Sequence, residues 1–340
     1  MKIKGLNRVI PGGRQIESMG DNLLLYTLDD GMYCNGALIS PTYLYPYLNY
    51  DGGHYLRSSE PPAIYRLDPE SNSIGLCVSR SRRIRLGTSD EWLLLGRYKN
   101  REHTYTLEVE GKEIWTKTTS FSQVIQVGPY ALFYQGRGEL ESFCQLIELA
   151  TGAVLWELDH PDAYISQVYP YEDKVVIVWF PPMGEEDKSR VSCVEVPSGK
   201  IIWENREPRY YQKYGDDKLV FFCSSLWEDG YEHGDNHELA ELDVRTGAFQ
   251  MYKFPGYNSS TYVTTVYKDY LFYGTLNYYF FVGAIDLRTH EMLPEVKIDY
   301  TPGNLNQISS IGVHDGQLYV EIQTELDHSD IHVLDLDEDE

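Results

Sequence analysis

Short apolar runs recur along the chain: LLLY at 23–26, WLLL at 92–95, ALFY at 131–134, VVIVWF at 175–180, LVFF at 219–222, LFY at 271–273 and LYVEI at 318–322. Each is too short for a helix and rich in β-branched or aromatic residues, so each predicts a buried strand. A polar turn precedes each run, as in QVGPY at 126–130 and QKYGDD at 212–217. A second pattern, in which two alternating strands flank a tight turn, follows each of the first six runs. It reads LDPESNSIGL at 67–76, LEVEGKEIW at 107–115, IELATGAVLW at 147–156, VEVPSGKIIW at 194–203, LDVRTGAFQM at 242–251 and IDLRTHEML at 285–293.

With the turn residue as anchor (Asn72, Gly111, Gly152, Gly199, Gly247, His290), the intervals are 39, 41, 47, 48 and 43 residues. Propeller blades repeat at about 40–50 residues. Glycine suits these turns because a tight hairpin requires positive φ. Trp115, Trp156 and Trp203 each follow a turn glycine by four residues, with Met251 in the next copy. A large side chain at that place on an outer strand would cover the joint between neighbouring blades.

The pairs of patterns predict an all-β fold: one seven-bladed β-propeller over residues 1–340, built from four-stranded antiparallel blades. The strands are a, b, c and d from the axis outward. The last blade lacks an outer strand, and KIKGLNRVI at 2–10 is expected to supply it and close the ring. Lys2 and Lys4 would then lie near the acidic tail. A Tyr-rich stretch at about 29–63 fits none of the copies and is expected to be a loop inserted in the first blade.

The turn pattern resembles the quinoprotein-like (PQQ-type) repeat, in which Leu-Asp-x-x-Thr-Gly precedes a Trp. The resemblance is at the level of the repeat, covers nearly the whole chain and implies a propeller more than an activity. WD40 and kelch repeats fit less well, since no Trp-Asp dipeptide occurs and Gly-Gly stands only at 12–13 and 52–53. A quinone-dependent dehydrogenase is also implied by the family, but the signal segment and adjacent cysteine pair of such enzymes are missing here. No cofactor is expected. No nucleophile elbow, phosphate loop, dinucleotide fingerprint or His-Glu-x-x-His motif occurs, so catalysis is not expected either.

Charge narrows the partners. The formal net charge is −23, with 52 acids against 29 bases. Duplex nucleic acid is disfavoured, because its affinity comes mainly from Lys and Arg on phosphates. No run of about 18 apolar residues exists to cross a membrane. Five scattered cysteines and the absence of an apolar leader point to a reducing cytoplasm.

The b–c and d–a connections are the longer ones and share one face, where binding residues concentrate on rigid scaffolds. Twenty-nine tyrosines are an unusual number, and Tyr supplies rigid amphipathic contact area. The candidate partner-binding residues are Tyr43, Tyr45, Tyr47, Tyr50, Tyr55, Tyr210, Tyr211, Trp227 and Tyr231. The function expected is non-catalytic protein binding by that face, the partner being basic; one concrete form is an immunity-type inhibitor of a basic toxin. The alternative is a propeller enzyme or binding protein for a carbohydrate or small anionic ligand at the tunnel mouth. Aligned inner strands place Ser18, Arg85, Gln126, Gln167, Lys213, Thr265 and Ser310 in one polar column, expected to line the tunnel. His233 and His237 are weak metal candidates in an acidic stretch. Asp327, His328, Asp330 and His332 are weak candidates of the same kind.

Overall fold

In a computed structural model, the chain forms a ring of eight antiparallel sheets. The structure describes residues 1–337 except 20–21, 28–30, 51–52, 60–61, 69, 72, 79–83, 90–91, 100–101, 111, 136–140, 162, 172, 182–188, 208–210, 225–235, 256–260, 276–279, 300–306 and 326–327. Strand β1 (Lys2–Ile10) stands apart in sequence. Blade 1 holds β2 (Gly13–Met19), β3 (Asn22–Thr27), β4 (Gly31–Cys34) and β5 (Ala37–Ser40). Blade 2 holds β6 (Tyr45–Tyr50), β7 (Gly53–Ser59), β8 (Pro62–Asp68) and β9 (Ser73–Val78). Blade 3 holds β10 (Ile84–Ser89), β11 (Trp92–Lys99), β12 (Glu102–Val109) and β13 (Lys112–Thr119). Blade 4 holds β14 (Gln123–Val127), β15 (Tyr130–Tyr134), β16 (Glu141–Glu148) and β17 (Val154–Pro161).

Blade 5 is β18 (Tyr164–Pro170), β19 (Lys174–Phe180), β20 (Arg190–Glu195) and β21 (Ile201–Asn205). Blade 6 is β22 (Gln212–Tyr214), β23 (Lys218–Ser224), β24 (Asn236–Asp243) and β25 (Phe249–Pro255). In blade 7, β26 (Thr261–Tyr267), β27 (Tyr270–Thr275) and β28 (Phe280–Asp286) carry a broken outer strand, β29 (Glu291–Met292) and β30 (Val296–Ile298). Blade 8 takes β31 (Gln307–His314), β32 (Gln317–Glu325) and β33 (His328–Asp337), and β1 pairs antiparallel with β33 as its fourth strand. Closure by residues 2–10 is thus as expected, and Lys4 pairs with Asp337 at 3.1 Å.

The expected seven blades are corrected to eight. The stretch at 29–63 is not a loop insertion: it holds the outer half of blade 1 and the inner half of blade 2. The turn between β4 and β5 uses Asn35 and Gly36, at φ 50° and 83°. Asn and Gly both tolerate the left-handed region, as a two-residue hairpin turn needs. Its flanking strands have only four residues each and no Trp follows, so it escaped the repeat pattern. Pro46 sits in β6, the innermost strand of blade 2, where one strand edge has no neighbour and a missing N–H is tolerated.

The core lies between blades rather than within them. Side chains alternate along β19: Val175, Ile177 and Trp179 pack towards blade 4, while Val176 and Val178 pack towards blade 6. A strand buried on both faces reads as a continuous apolar run, which accounts for VVIVWF. Each such valine contributes about 1.5–3 kcal/mol on burial. Similar clusters fill the joints 8–7, 4–3, 6–7, 1–2 and 8–1.

Candidate functional site

The turns between c and d strands are built by one repeated device. Glu148, Glu195, Asp243 and Asp286 each stand four residues before the turn residue, whose N–H donates to their carbonyl at 2.8–2.9 Å. A Thr or Ser one residue before the turn residue donates its hydroxyl back to the carboxylate in three of them, at 2.7 Å for Thr151 and 2.8 Å for Thr246, and from Ser198 to Glu195. In blades 5–7 the end of the c strand then bonds the a–b turn of its own blade: Val196 N–H donates to the Asp173 carbonyl, Val244 to that of Asp217 and Leu287 to that of Asp269. The a–b and c–d turns therefore share one face, and this short-turn face is tied together blade by blade.

The tryptophans clasp neighbouring blades. Trp115, Trp156 and Trp203 donate their indole N–H to the carbonyls of Leu149, Val196 and Val244 in the next blade, at 2.7, 2.6 and 2.9 Å. Their rings lie against Gly152, Gly199 and Gly247, where a Cβ would approach ring atoms to 2.9, 2.5 and 2.6 Å. Between blades 6 and 7 the device changes. His290 takes the glycine's place at φ 58°, stacks on Tyr252 at 3.8 Å, and meets the buried Glu241 at 3.1 Å. Lys218 reaches the other oxygen of Glu241 at 3.3 Å.

The residues singled out for partner binding separate. Tyr43 is half-buried, packs on Tyr26 with ring centroids 4.7 Å apart and donates its hydroxyl to Gln15. Tyr45, Tyr47 and Tyr50 lie on β6 and Tyr55 on β7, the two inner strands of blade 2. Tyr211 is only 2% exposed in the core between blades 5 and 6, where its hydroxyl donates to the Glu207 carbonyl at 2.6 Å. Its expected place on a contact surface is corrected: an aromatic ring beside a tight joint is drawn into the core. Tyr210, Trp227 and Tyr231 lie outside the described residues, as do His233 and Asp327.

His237 falls on β24 opposite Phe254, and His328 opens β33 opposite Glu325. Asp330 accepts the Gly12 N–H at 3.1 Å, and His332 is buried. Among the described residues no three His, Cys, Asp or Glu side chains are grouped to hold a metal. Burial pushes the Cys144 thiol up to about 12 and those of Cys34 and Cys193 to about 11, so none is a ready nucleophile.

The seven residues of the polar column all lie on innermost strands: Ser18 on β2, Arg85 on β10, Gln126 on β14, Gln167 on β18, Lys213 on β22, Thr265 on β26 and Ser310 on β31. Ser310 donates to Glu321 at 2.8 Å, and Gln126 donates to the Gly128 carbonyl at 2.8 Å. Lys213 donates to the Pro170 carbonyl of blade 5 and lies 4.5 Å over the ring of Tyr171. Around it opens a pocket of about 460 Å³ on the short-turn face. Its walls come from the a–b turns of blades 5 and 6 and the c–d turn of blade 6: Tyr171, Asp173, Lys174, Gly215, Asp216 and Arg245 among them. Sequence reasoning had Lys213 alone. Lys174 and Arg245 carried a signal, as cations in turns that also hold Asp173 and Asp243.

No protein-family profile and no curated protein sequence matches the chain. Solved structures do. The C-terminal WD40 domain of Sif2 is similar with a TM-score of 0.60 at 8% identity, covering 99% of both chains. The computationally designed protein Ika8 is similar at 0.57 and 10% identity over 98% of both. The Dos1 propeller is similar at 0.53 and 12%, over 96% of this chain and 95% of that one. The class defined by topology and likeness is the β-propeller. At such identities the likeness establishes the fold alone.

Proposed function

We propose that the chain is a protein-binding propeller that receives a basic partner on the face carrying the b–c and d–a connections. The observation that carries this reading is a net charge of −23 on a ring closed by its own N-terminal strand. Such a field steers cationic partners and accelerates encounter. A closed ring of sheets is a stiff frame from which connections of this kind are presented. On the short-turn face, in contrast, the described turns of blades 4–7 engage backbone groups in the bonds given above.

The finer form of the reading is an inhibitor of a basic toxin, acting in the cytoplasm, on a quinoprotein-like repeat. Five turns of the form Asp/Glu-x-x-Ser/Thr, at 68–71, 148–151, 195–198, 243–246 and 286–289, support the repeat. The test is affinity capture followed by cross-linking, at about 50 mM and about 0.5 M salt. A Lys/Arg-rich partner held at low salt, lost at high salt and cross-linked to the b–c and d–a connections is the expected result. No partner in either condition, or cross-links confined to the a–b and c–d turns, would sink the reading. Growth protection on co-expression with the captured partner tests the toxin form.

A further inference from the structure

We propose that the pocket between blades 5 and 6 is a binding site for an oxyanion, a phosphate or carboxylate group carried by a small molecule. It is independent of the protein-binding reading, because it opens on the opposite face. Three of the chain's 29 cations, Lys174, Lys213 and Arg245, converge on this one depression in a protein of charge −23. Lys174 and Arg245 are oriented by carboxylates at the edge, Asp173 at 3.8 Å and Asp217 at 3.1 Å.

Lys213 is different. Among the described residues it makes no ion pair. Its ammonium has a neutral carbonyl and a ring face for company. Burial lowers its pKa, with Asp216 working in the opposite direction. Lys213 is an exposed residue and Asp216 already acts on its charge; an anion seated beside the ammonium adds a second counter-charge. Tyr171 lines the same pocket and has a buried hydroxyl that lacks a hydrogen-bond partner. Burial holds that phenol well above its usual pKa, so it stays protonated, and its ring forms the apolar floor beneath Lys213. Two ammonium groups and a guanidinium around one small volume match an oxygen-rich anion. Asp173 and Asp216 in the same wall oppose a polyanion, which limits the ligand to one oxyanion group.

The experiment is isothermal titration of the whole chain with sodium phosphate and, separately, sodium citrate, at ionic strength held constant with potassium chloride. Saturable binding of either ligand is expected, and which of the two binds identifies the oxyanion. Lys213→Gln and Arg245→Gln should each weaken it about tenfold or more. Affinity should also fall as pH rises towards the lysine range. Absence of saturable binding below about 10 mM for both ligands overturns the proposal. So does binding left unchanged in both Lys213→Gln and Arg245→Gln. Each variant is checked for folding by its melting curve, and because Lys213 lies on β22 and Arg245 on the c–d turn, loss of one fold leaves the other decisive.

Discussion

At the scale of single residues, the turn glycines do two jobs that can be separated. Gly199 has φ 71° and a ring atom of Trp156 within 2.5 Å of where a Cβ would stand. Gly128 has φ 57° and nothing within 4 Å. Gly128→Ala should therefore cost only the left-handed strain, about 1–2 kcal/mol. Gly199→Ala adds the clash and should cost about 2–4 kcal/mol. Urea unfolding of the two variants side by side checks this. Trp156→Phe keeps most of the ring but leaves the Val196 carbonyl without its donor, and about 1–2 kcal/mol should be lost.

A buried acid gives a residue-scale pH effect. Glu321 is 5% exposed in blade 8 and accepts from Ser310 and Ser329 at 2.8 and 2.9 Å. Burial nevertheless raises its pKa. A carboxyl raised on folding adds its full stability below the unfolded value and loses it as pH rises through the folded one. Glu321→Gln should hence match the parent near pH 4 and exceed it at pH 7 in melting temperature. Asp286 runs the other way. Arg288 holds it down to about 2, so its contribution is present above the ordinary Asp range and vanishes as pH falls through about 2.

At the scale of elements, strands were readable where burial on both faces left an uninterrupted apolar run, as in β19 and β23. The c–d hairpins were readable because a positive-φ turn demands a small set of residues. What escaped was the hairpin at Asn35-Gly36 and the inner strands of blade 2. Their strands are short, rich in Tyr and interrupted by Pro46, and those residue types also compose loops. Tyr171 and Arg245 escaped for another reason. Nothing in a turn's sequence says which turn of the next blade lies beside it. The closing strand was readable from the missing outer strand of blade 8 and from its charge. Removing residues 1–10 should expose the edge of β33 and lower the melting temperature, with association visible by size-exclusion chromatography. A synthetic peptide of residues 2–10 in excess should reverse both changes; failure to do so would indicate that the segment acts other than as a strand.

At the scale of the whole molecule, a repeat count depends on every copy being recognisable, and one degenerate copy shifts the ring from seven blades to eight. The class of fold did not depend on that copy. Charge is the other global property. A chain at −23 repels itself, so adding salt from a few millimolar to about 0.15 M should raise the melting temperature, and the gain should shrink near pH 5 as carboxylates are neutralised. Differential scanning calorimetry across salt and pH tests both.

The pairing of β1 with β33 also places a clock on synthesis. Asn7 and its partner Asp335 are separated by 328 residues. At ribosomal rates of about 5–20 residues per second, the first strand made waits roughly 15–65 s for its mate to emerge. Leu6 and Val9, still exposed in the finished ring, spend that interval on an unpaired segment. The nascent chain is consequently a string of blades with two sticky ends, and whether the ends find each other or those of a neighbouring chain is decided by how crowded its polysome is.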